Sequence, residues 1–524
     1  MSKQTFLQGT LVLIIAGLIT RILGFVNRIV VARLIGEEGV GLYMMAVPTL
    51  VLTITLTQLG LPVAISKLVA EAEANGDKRK IKKILVVSLC TTGILSIFFT
   101  AGMIFLAPLL SNTLLTDSRT YYPLIAISPI VPIVALSSVL RGYFQGLQNM
   151  RPAAYSQVIE QVVRISLVAI FTRAFLPYGI EYAAAGAMIS VVFGELASLL
   201  YMLMMFKLKK RIKVRRNFFK SVKSGKDSFH ELMAIALPTT GSRLIGSLSW
   251  FFEPIVVAQS LAIAGVATTL ATKQYGELTG YALPLLLLPS FITVSLSTSL
   301  VPAISEAAAQ KRNSLIEHRL KQALRLSLVT GGLAVVVLYV FATPIMQLMY
   351  GTSKAAIFVK VMAPFFIFNY FQGPLQATLQ ALDLAKSAMI NSFIGAFVKT
   401  AIIFVLATRP HLGIMGAALA IVIGMMLVTM LHFATVVKKI SYTFYIRDYL
   451  KSFITMIASG IVGGYSYTYY FLDFSLLWRT LLAITITSIV YFIMLVLFKL
   501  VKKDEVNRIP FIGPPIAALM PYKK

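Results

Sequence analysis

The stretch Thr20–Gly41, T-R-I-L-G-F-V-N-R-I-V-V-A-R-L-I-G-E-E-G-V-G, continues an apolar run that begins near Leu11. Its length and hydropathy place it in a membrane, yet it carries Arg21, Arg28 and Arg33, with Asn27 next to Arg28. An ionised side chain near the bilayer centre costs roughly 2.5–3.5 kcal/mol on insertion scales. A first span with several cations needs something to neutralise them, and an anionic substrate is the expected partner. Arg28 and Arg33 lie toward the outer end of the span, where a long side chain reaches the interface. Arg21 sits near mid-depth and has no such escape.

Of the 524 residues, 58% are hydrophobic and 13% charged, and the mean hydropathy is +0.83. A soluble chain carries about twice that charged fraction. An all-α polytopic membrane protein is predicted. The net charge of +28 does not mark a nucleic-acid binder, because the basic residues form short clusters between apolar runs and leave no room for a basic folded domain. Cys90 is the only cysteine, which excludes internal disulfides and Cys-based metal sites; it lies in an apolar run and is expected to be a packed thiol. Lys3 precedes a long apolar run with no small-residue cleavage pattern before Arg21, so an uncleaved first span is expected rather than a signal peptide.

A span needs about 20 apolar residues. On that measure fourteen spans are expected, at 9–33, 42–66, 84–110, 121–144, 153–176, 183–206, 232–258, 279–304, 324–349, 357–382, 388–408, 413–437, 451–472 and 477–499. The clusters at Lys78–Lys83, Lys207–Lys226, Lys311–Lys321, Lys438-Lys439 and Lys499–Lys503 fall on one side, and isolated charges such as Arg119, Arg173 and Arg409 on the other. By the positive-inside rule both termini are cytoplasmic, which an even number of spans satisfies.

The chain then repeats itself. Pro62-Val-Ala-Ile-Ser66 is matched by Val301-Pro-Ala-Ile-Ser305, Arg21-x-x-Gly24 by Arg243-x-x-Gly246, and Ile29-Val-Val-Ala32 by Ile255-Val-Val-Ala258. Leu140–Gln145 matches Leu375–Gln380, and Arg164 matches Lys399, all at offsets between 222 and 239 residues. The expected organisation is an N-lobe over 1–206, a basic cytoplasmic loop over 207–231, a C-lobe over 232–437, two further spans over 438–500 and a cytoplasmic tail over 501–524. Six spans per repeat is an even number, so the lobes should relate by an axis along the membrane normal.

The polar residues inside spans line up between the repeats. Arg21 and Arg243 fall near mid-depth in the first span of each, and Arg164 and Lys399 in the fifth. Four paired cations imply a central, hydrated, electropositive cavity. Gln157, Glu160, Gln161 and Arg164 form one helical stripe, and Asn369, Gln372, Gln376 and Gln380 another. Lipid cannot satisfy such groups, so they face the cavity or bond other helices. Glu160 can pair with Arg164 one turn away, and Glu195 and Glu253 are candidate partners for buried arginines. Gly24, close behind Arg21, is the expected bend in the first span. The substrate-contacting set is therefore Arg21, Arg243, Arg164, Lys399, Arg28, Asn27, Glu253, Gln372 and Gln376, with no metal ligands.

Five segments together resemble a known family. They are the opening stretch, T-Q-L-G-L-P-V-A-I-S-K-L-V-A-E (57–71), S-V-L-R-G-Y-F-Q-G (138–146), W-F-F-E-P-I-V-V-A-Q-S-L-A (250–262) and A-T-K-Q-Y-G-E-L-T-G (271–280). They are similar to the stage V sporulation protein B-like branch of the polysaccharide transporter family, in the multidrug/oligosaccharidyl-lipid/polysaccharide (MOP) flippase superfamily. The likeness runs to about Ala434. It implies fourteen helices in two six-helix lobes around a V-shaped cavity, plus two. It also implies movement of an undecaprenyl-linked peptidoglycan precursor across the bacterial cytoplasmic membrane, in support of the spore cortex. Related lipid II flippases keep Ser-Arg-x-x-Gly-Phe in the first helix, matched here by Thr20, Arg21, Gly24 and Phe25. A second arginine of that motif is Asn27 in this chain, with Arg28 beside it.

The leading expectation is a flippase for a lipid-linked, diphosphate-bearing saccharide, working as a monomer without a cofactor and driven by membrane potential or an H⁺/Na⁺ gradient. Its partners would be that lipid, the bilayer and other cell-wall synthesis proteins. A cation-coupled drug antiporter of the same superfamily needs a lone membrane carboxylate in a cation-friendly cavity, and the first span has cations and no acid. A membrane enzyme needs grouped acids or histidines, whereas His230, His318, His411 and His432 are scattered. A non-transporting scaffold leaves the paired cations unexplained.

Overall fold

The computed structural model describes residues 6–208, 225–440, 442 and 446–501. The expected tail over 501–524 lies outside these residues beyond position 501, and so does most of the basic loop, at 209–224. The described chain is all-α. By contacts it packs as two compact units, Met1–Gly280 with Ile403–Ile414, and Tyr281–Ile402 with Met415–Lys524.

The first unit holds α1 (Phe6–Gln58), α2 (Leu61–Ala74), α3 (Lys78–Leu109), α4 (Tyr121–Ile127), α5 (Ile130–Gly146), α6 (Arg151–Phe175), α7 (Ile180–Leu208), α8 (Lys226–Ile263) and α9 (Thr268–Gly276). The second holds α10 (Ser290–Ala309), α11 (Asn313–Val340), α12 (Phe366–Ala381), most of α13 (Ala385–Ala407), α14 (Ile414–Lys439), α15 (Ile446–Tyr465) and α16 (Leu476–Leu497).

Eleven elements among the described residues are long and apolar enough to cross a membrane. The three-span difference from the expected fourteen has a physical origin. The first two expected spans join into one continuous element, because α1 runs on past Gly36 with only a local break. The fifth, α6, carries Arg151, Glu160, Arg164 and Arg173, and the thirteenth, α15, carries Arg447, Asp448 and Lys451. Both are helices of 20 residues or more, set apart from the eleven by composition rather than length.

Small residues set the helix spacing. Gly142 and Gly146 on α5 form a small-xxx-small pair; a Cβ on them would stand 2.8 Å from the Pro62 carbonyl and 2.7 Å from the Ser66 carbonyl. Such faces let membrane helices approach to backbone contact. The α2–α5 seam continues into a core of Leu61, Ile65, Leu68, Ile84, Tyr143 and Phe144. Gly186 and Gly194 on α7 lie equally close to the Phe171 and Glu160 carbonyls of α6, each 2.8 Å from a would-be Cβ. Outward, α3 shows Ile94, Ile97, Phe98 and Phe105, apolar side chains suited to lipid.

In the second unit, Tyr370 of α12 is wholly buried against Gly331 of α11 and donates to the Leu286 carbonyl at 3.0 Å. Tyr491 of α16 donates to the Val329 carbonyl on α11 at 2.8 Å, and Gly463 of α15 sits against Thr487 of α16. The last two helices are thereby fastened to α11.

Candidate functional site

The first helix packs against α6, α7, α8 and α9. Gly24 faces Gln161 of α6, whose Oε1 would lie 3.7 Å from a Cβ at that position. Residues 21, 24 and 28 share a helical face, so Arg21 and Arg28 flank the Gly24 contact one turn to either side. Both arginines are exposed, and neither forms an ion pair among the described residues. Asn27 is 5% exposed, and its Oδ1 accepts no hydrogen bond from a described residue. The backbone stays helical through Gly24; the one non-helical residue inside α1 is Gly36, at φ 64° and ψ −172°. Arg33 is exposed.

Beside this face, α5, α6 and α7 bring together a four-charge cluster. Arg141 Nη2 donates to Glu195 Oε1 at 2.8 Å and to Ser198 Oγ at 3.2 Å, and it lies 3.9 Å from Glu160 Oε2. Arg164 Nη2 pairs with Glu160 Oε1 at 2.5 Å, one turn along α6, and Gln161 Nε2 reaches the same oxygen at 3.5 Å. The Glu195 side chain is 5% exposed and that of Glu160 13%. Two cations and two carboxylates make the cluster formally neutral. Arg164 is thus held by Glu160, and the buried arginine that Glu195 serves is Arg141. Arg141 is not among the residues the sequence singles out. Its signal was present in S-V-L-R-G-Y-F-Q-G, but its repeat counterpart is the uncharged Gln376, so a search for cations present in both halves passes over it.

A second cluster gathers at the Gly36 break. Glu38 accepts from Arg119, which also forks onto Asp117 through Nε (3.0 Å, to Oδ1) and Nη2 (2.9 Å, to Oδ2). Thr272 of α9 donates to the same Asp117 Oδ2 at 2.7 Å, and Lys273 lies 3.2 Å from Glu37. The α1 and α9 backbones touch here; a Cβ on Gly276 would fall 2.2 Å from the Glu37 carbonyl. Burial alone would raise the Asp117 carboxyl, but the hydrogen bonds from Arg119 and Thr272 outweigh it and hold the group below the usual carboxylate range.

The other expected residues lie on α8 of the first unit and on α12 and α13 of the second. Arg243 on α8 is exposed and has no ion pair among the described residues. Glu253, also on α8, is 6% exposed and lies within electrostatic reach of the wholly buried Tyr275. In the second unit Lys399 is half-buried, its Cβ packed over Gly424 of α14. Arg164 packs over Gly194 of α7 in the same manner. Gln372 is half-buried and Gln376 exposed on α12, while Asn369 donates to Ser290 Oγ at 3.1 Å. The second unit also has an apolar groove of about 540 Å³, lined by Leu328, Phe368, Phe371, Phe433, Phe453 and Met456. No group of three metal-ligating side chains occurs among the described residues.

Residues 6–308 match the family model described as polysaccharide biosynthesis protein, and residues 254–405 match that described as MatE. Stage V sporulation protein B of Bacillus subtilis (strain 168) is 64% identical over 98% of this chain and 99% of its own length. Sporulation protein YkvU of the same organism is 31% identical over 84% of this chain and 97% of its own. Lipid II flippase MurJ of that organism is 25% identical over 88% of each. Among solved structures, lipid II flippase MurJ in an inward closed conformation superposes with a TM-score of 0.70 at 20% identity, covering 92% of this chain and 98% of that one. An inward-facing multidrug resistance MATE transporter of the MOP superfamily gives 0.63 at 18%, over 80% and 96%. These two show a shared fold.

Proposed function

Because this chain belongs to the polysaccharide biosynthesis protein family, a branch of the MOP superfamily of membrane flippases and transporters, we propose that it moves a polyprenyl-diphosphate-linked saccharide across the bacterial cytoplasmic membrane. The chain is a multi-pass membrane protein of a transporter family, not an enzyme family. The observation that carries the finer proposal is the state of its cations. Arg141 and Arg164 are balanced by Glu195 and Glu160, whereas Arg21, Arg28 and Arg243 are exposed and have no ion pair among the described residues. Arginines left over in apolar helices suit a substrate that brings its own negative charge, and guanidinium binds phosphate oxygens in bidentate fashion.

In this mechanism the repeats 1–206 and 232–437 act as lobes around a hydrated cavity, with both termini cytoplasmic. Arg21, Arg243 and Arg28 take the diphosphate, assisted by Asn27. Lys399 and Glu253 adjust the field. The lobes alternate access, driven by membrane potential or an ion gradient, while the polyprenyl tail stays in lipid and in the apolar groove of the second unit. The product would feed cell-wall or spore cortex synthesis.

Arg21→Ala and Arg243→Ala, expressed at wild-type level, are expected to abolish complementation of a flippase-depleted strain. Normal growth with both variants would sink the proposal. Reconstituted protein offered lipid II and a second polyprenyl-linked glycan then tells which saccharide is carried. The MatE match over 254–405 favours one alternative, a cation-coupled drug antiporter; drug susceptibility unchanged by overexpression eliminates it.

A further inference from the structure

Glu160 and Glu195 are two carboxylates on adjacent helices joined through a single nitrogen, Arg141 Nη2, at 3.9 Å and 2.8 Å. Like charges this close in a poorly polarisable interior disfavour double ionisation, and burial does the same; the two guanidiniums oppose both effects. What decides between them is how fully the guanidiniums are used. Each arginine engages a carboxylate through Nη2 alone, and the Nε atoms of Arg141 and Arg164 are buried with no acceptor among the described residues. The Ser137 hydroxyl, wholly buried one turn before Arg141, lies within reach of Glu195 and completes no hydrogen bond of normal geometry with a described residue. The charges surrounding Glu195 are few. Of the helices packed against α7, α4 (Y-Y-P-L-I-A-I) carries no ionised residue, α5 carries Arg141 alone, and α6 brings Glu160 and Arg164; α1 carries Arg21, Arg28, Arg33, Glu37 and Glu38, of which Glu37 and Glu38 are engaged by Lys273 and Arg119. A cluster so sparsely bonded changes charge at low cost.

We propose that Glu160 and Glu195 together bind one exchangeable proton, and that its binding releases the Arg164 guanidinium from Glu160 to meet the diphosphate of the substrate. In balance, one aqueous proton adds to one carboxylate oxygen of the pair, the cluster passes from neutral to a net charge of one, and the Arg164–Glu160 pair opens. Loss of the proton to the other side of the membrane closes it again. The proton belongs to the pair and not to either residue. The release step rests on the diphosphate-lipid function proposed above; proton binding does not.

The two parts are read separately. Infrared difference spectra of the purified full-length protein, titrated through neutral pH without substrate, should gain one protonated-carboxyl band on acidification. That band should vanish in both Glu160→Gln and Glu195→Gln and persist in Glu306→Gln, an exposed carboxylate on α10. A band unaffected by the first two changes, or no band, overturns the proposal. Should Glu195→Gln fold poorly, Glu195→Asp shifts the band instead of removing it.

Binding of undecaprenyl diphosphate to protein in nanodiscs reports the release. Wild type should bind roughly ten- to a hundredfold more tightly on the acid side, the worth of one added charge-assisted hydrogen bond. Glu160→Gln should bind tightly at every pH. Wild-type affinity independent of pH overturns the release step. Absence of binding at any pH, with the band intact, overturns the diphosphate function and leaves the proton site standing.

Discussion

Two arginine-centred clusters lie in the first unit, and they are built on opposite principles. Around Arg119 the guanidinium forks onto Asp117 with two parallel contacts, reaches Glu38 as well, and shares Asp117 with Thr272. Around Arg141 and Arg164 each guanidinium uses one terminal nitrogen and leaves its Nε without an acceptor among the described residues. Bidentate geometry fixes direction as well as distance. Saturation marks the Arg119 cluster as a clamp between α1, the Asp117 turn and α9. The sparser cluster can trade partners, and it lies among the helices that carry the candidate substrate residues.

The contrast predicts unequal losses. Arg141→Met strands the Glu195 carboxylate with its direct partner gone, and breaking a buried pair on one side costs roughly 3–5 kcal/mol. A large fall in the melting temperature in detergent is expected, mostly recovered by adding Glu195→Leu. Equal melting of the single and double variants would show that Arg141 does not neutralise Glu195. Arg119→Lys retains the charge but loses the fork, at an expected cost of about 1.5–3 kcal/mol for one charge-assisted hydrogen bond. Its melting temperature should drop by less than that of Arg141→Met; a larger drop would reverse the ranking of the two clusters.

The smallest effect is the one with pH. Asp117 titrates below its unfolded value of about 3.9. Its contribution to stability is therefore complete above that value and is lost as pH falls through the lower, folded value. Wild type should lose stability progressively in acid. Asp117→Asn should start lower at neutral pH and be flatter below about pH 4; parallel acid profiles would mean that Asp117 carries no such linkage.

The helices were readable in the sequence because a span announces itself by length and hydropathy, and all fourteen expected stretches are largely helical. In both matched pairs the cation packs over a glycine of the following helix, Arg164 over Gly194 and Lys399 over Gly424. The Glu160–Arg164 pair follows from helical spacing. Charge partners far apart in the chain were not readable. Arg119 meets Glu38 across 81 residues and Thr272 meets Asp117 across 155, and no periodicity encodes such meetings. In the sequence Arg119 reads as an isolated loop charge. Gly24 and Gly36 each follow an arginine three residues earlier, so composition does not separate them; only backbone dihedrals locate the break at Gly36.

That break has a mechanical side. At φ 64° and ψ −172°, Gly36 occupies a region essentially closed to other residues, while no described side chain crowds its Cβ position. It is a swivel in free space between two stiff rods. The far rod begins at Glu37 and Glu38, both tethered; the near rod carries Arg28, Gly24 and Arg21. Arg21 stands 15 residues away, about 22 Å at the helical rise. A turn of about 10° at this one residue therefore sweeps the Arg21 backbone through about 4 Å, roughly the reach of an ion pair, with every helical hydrogen bond of the near rod intact.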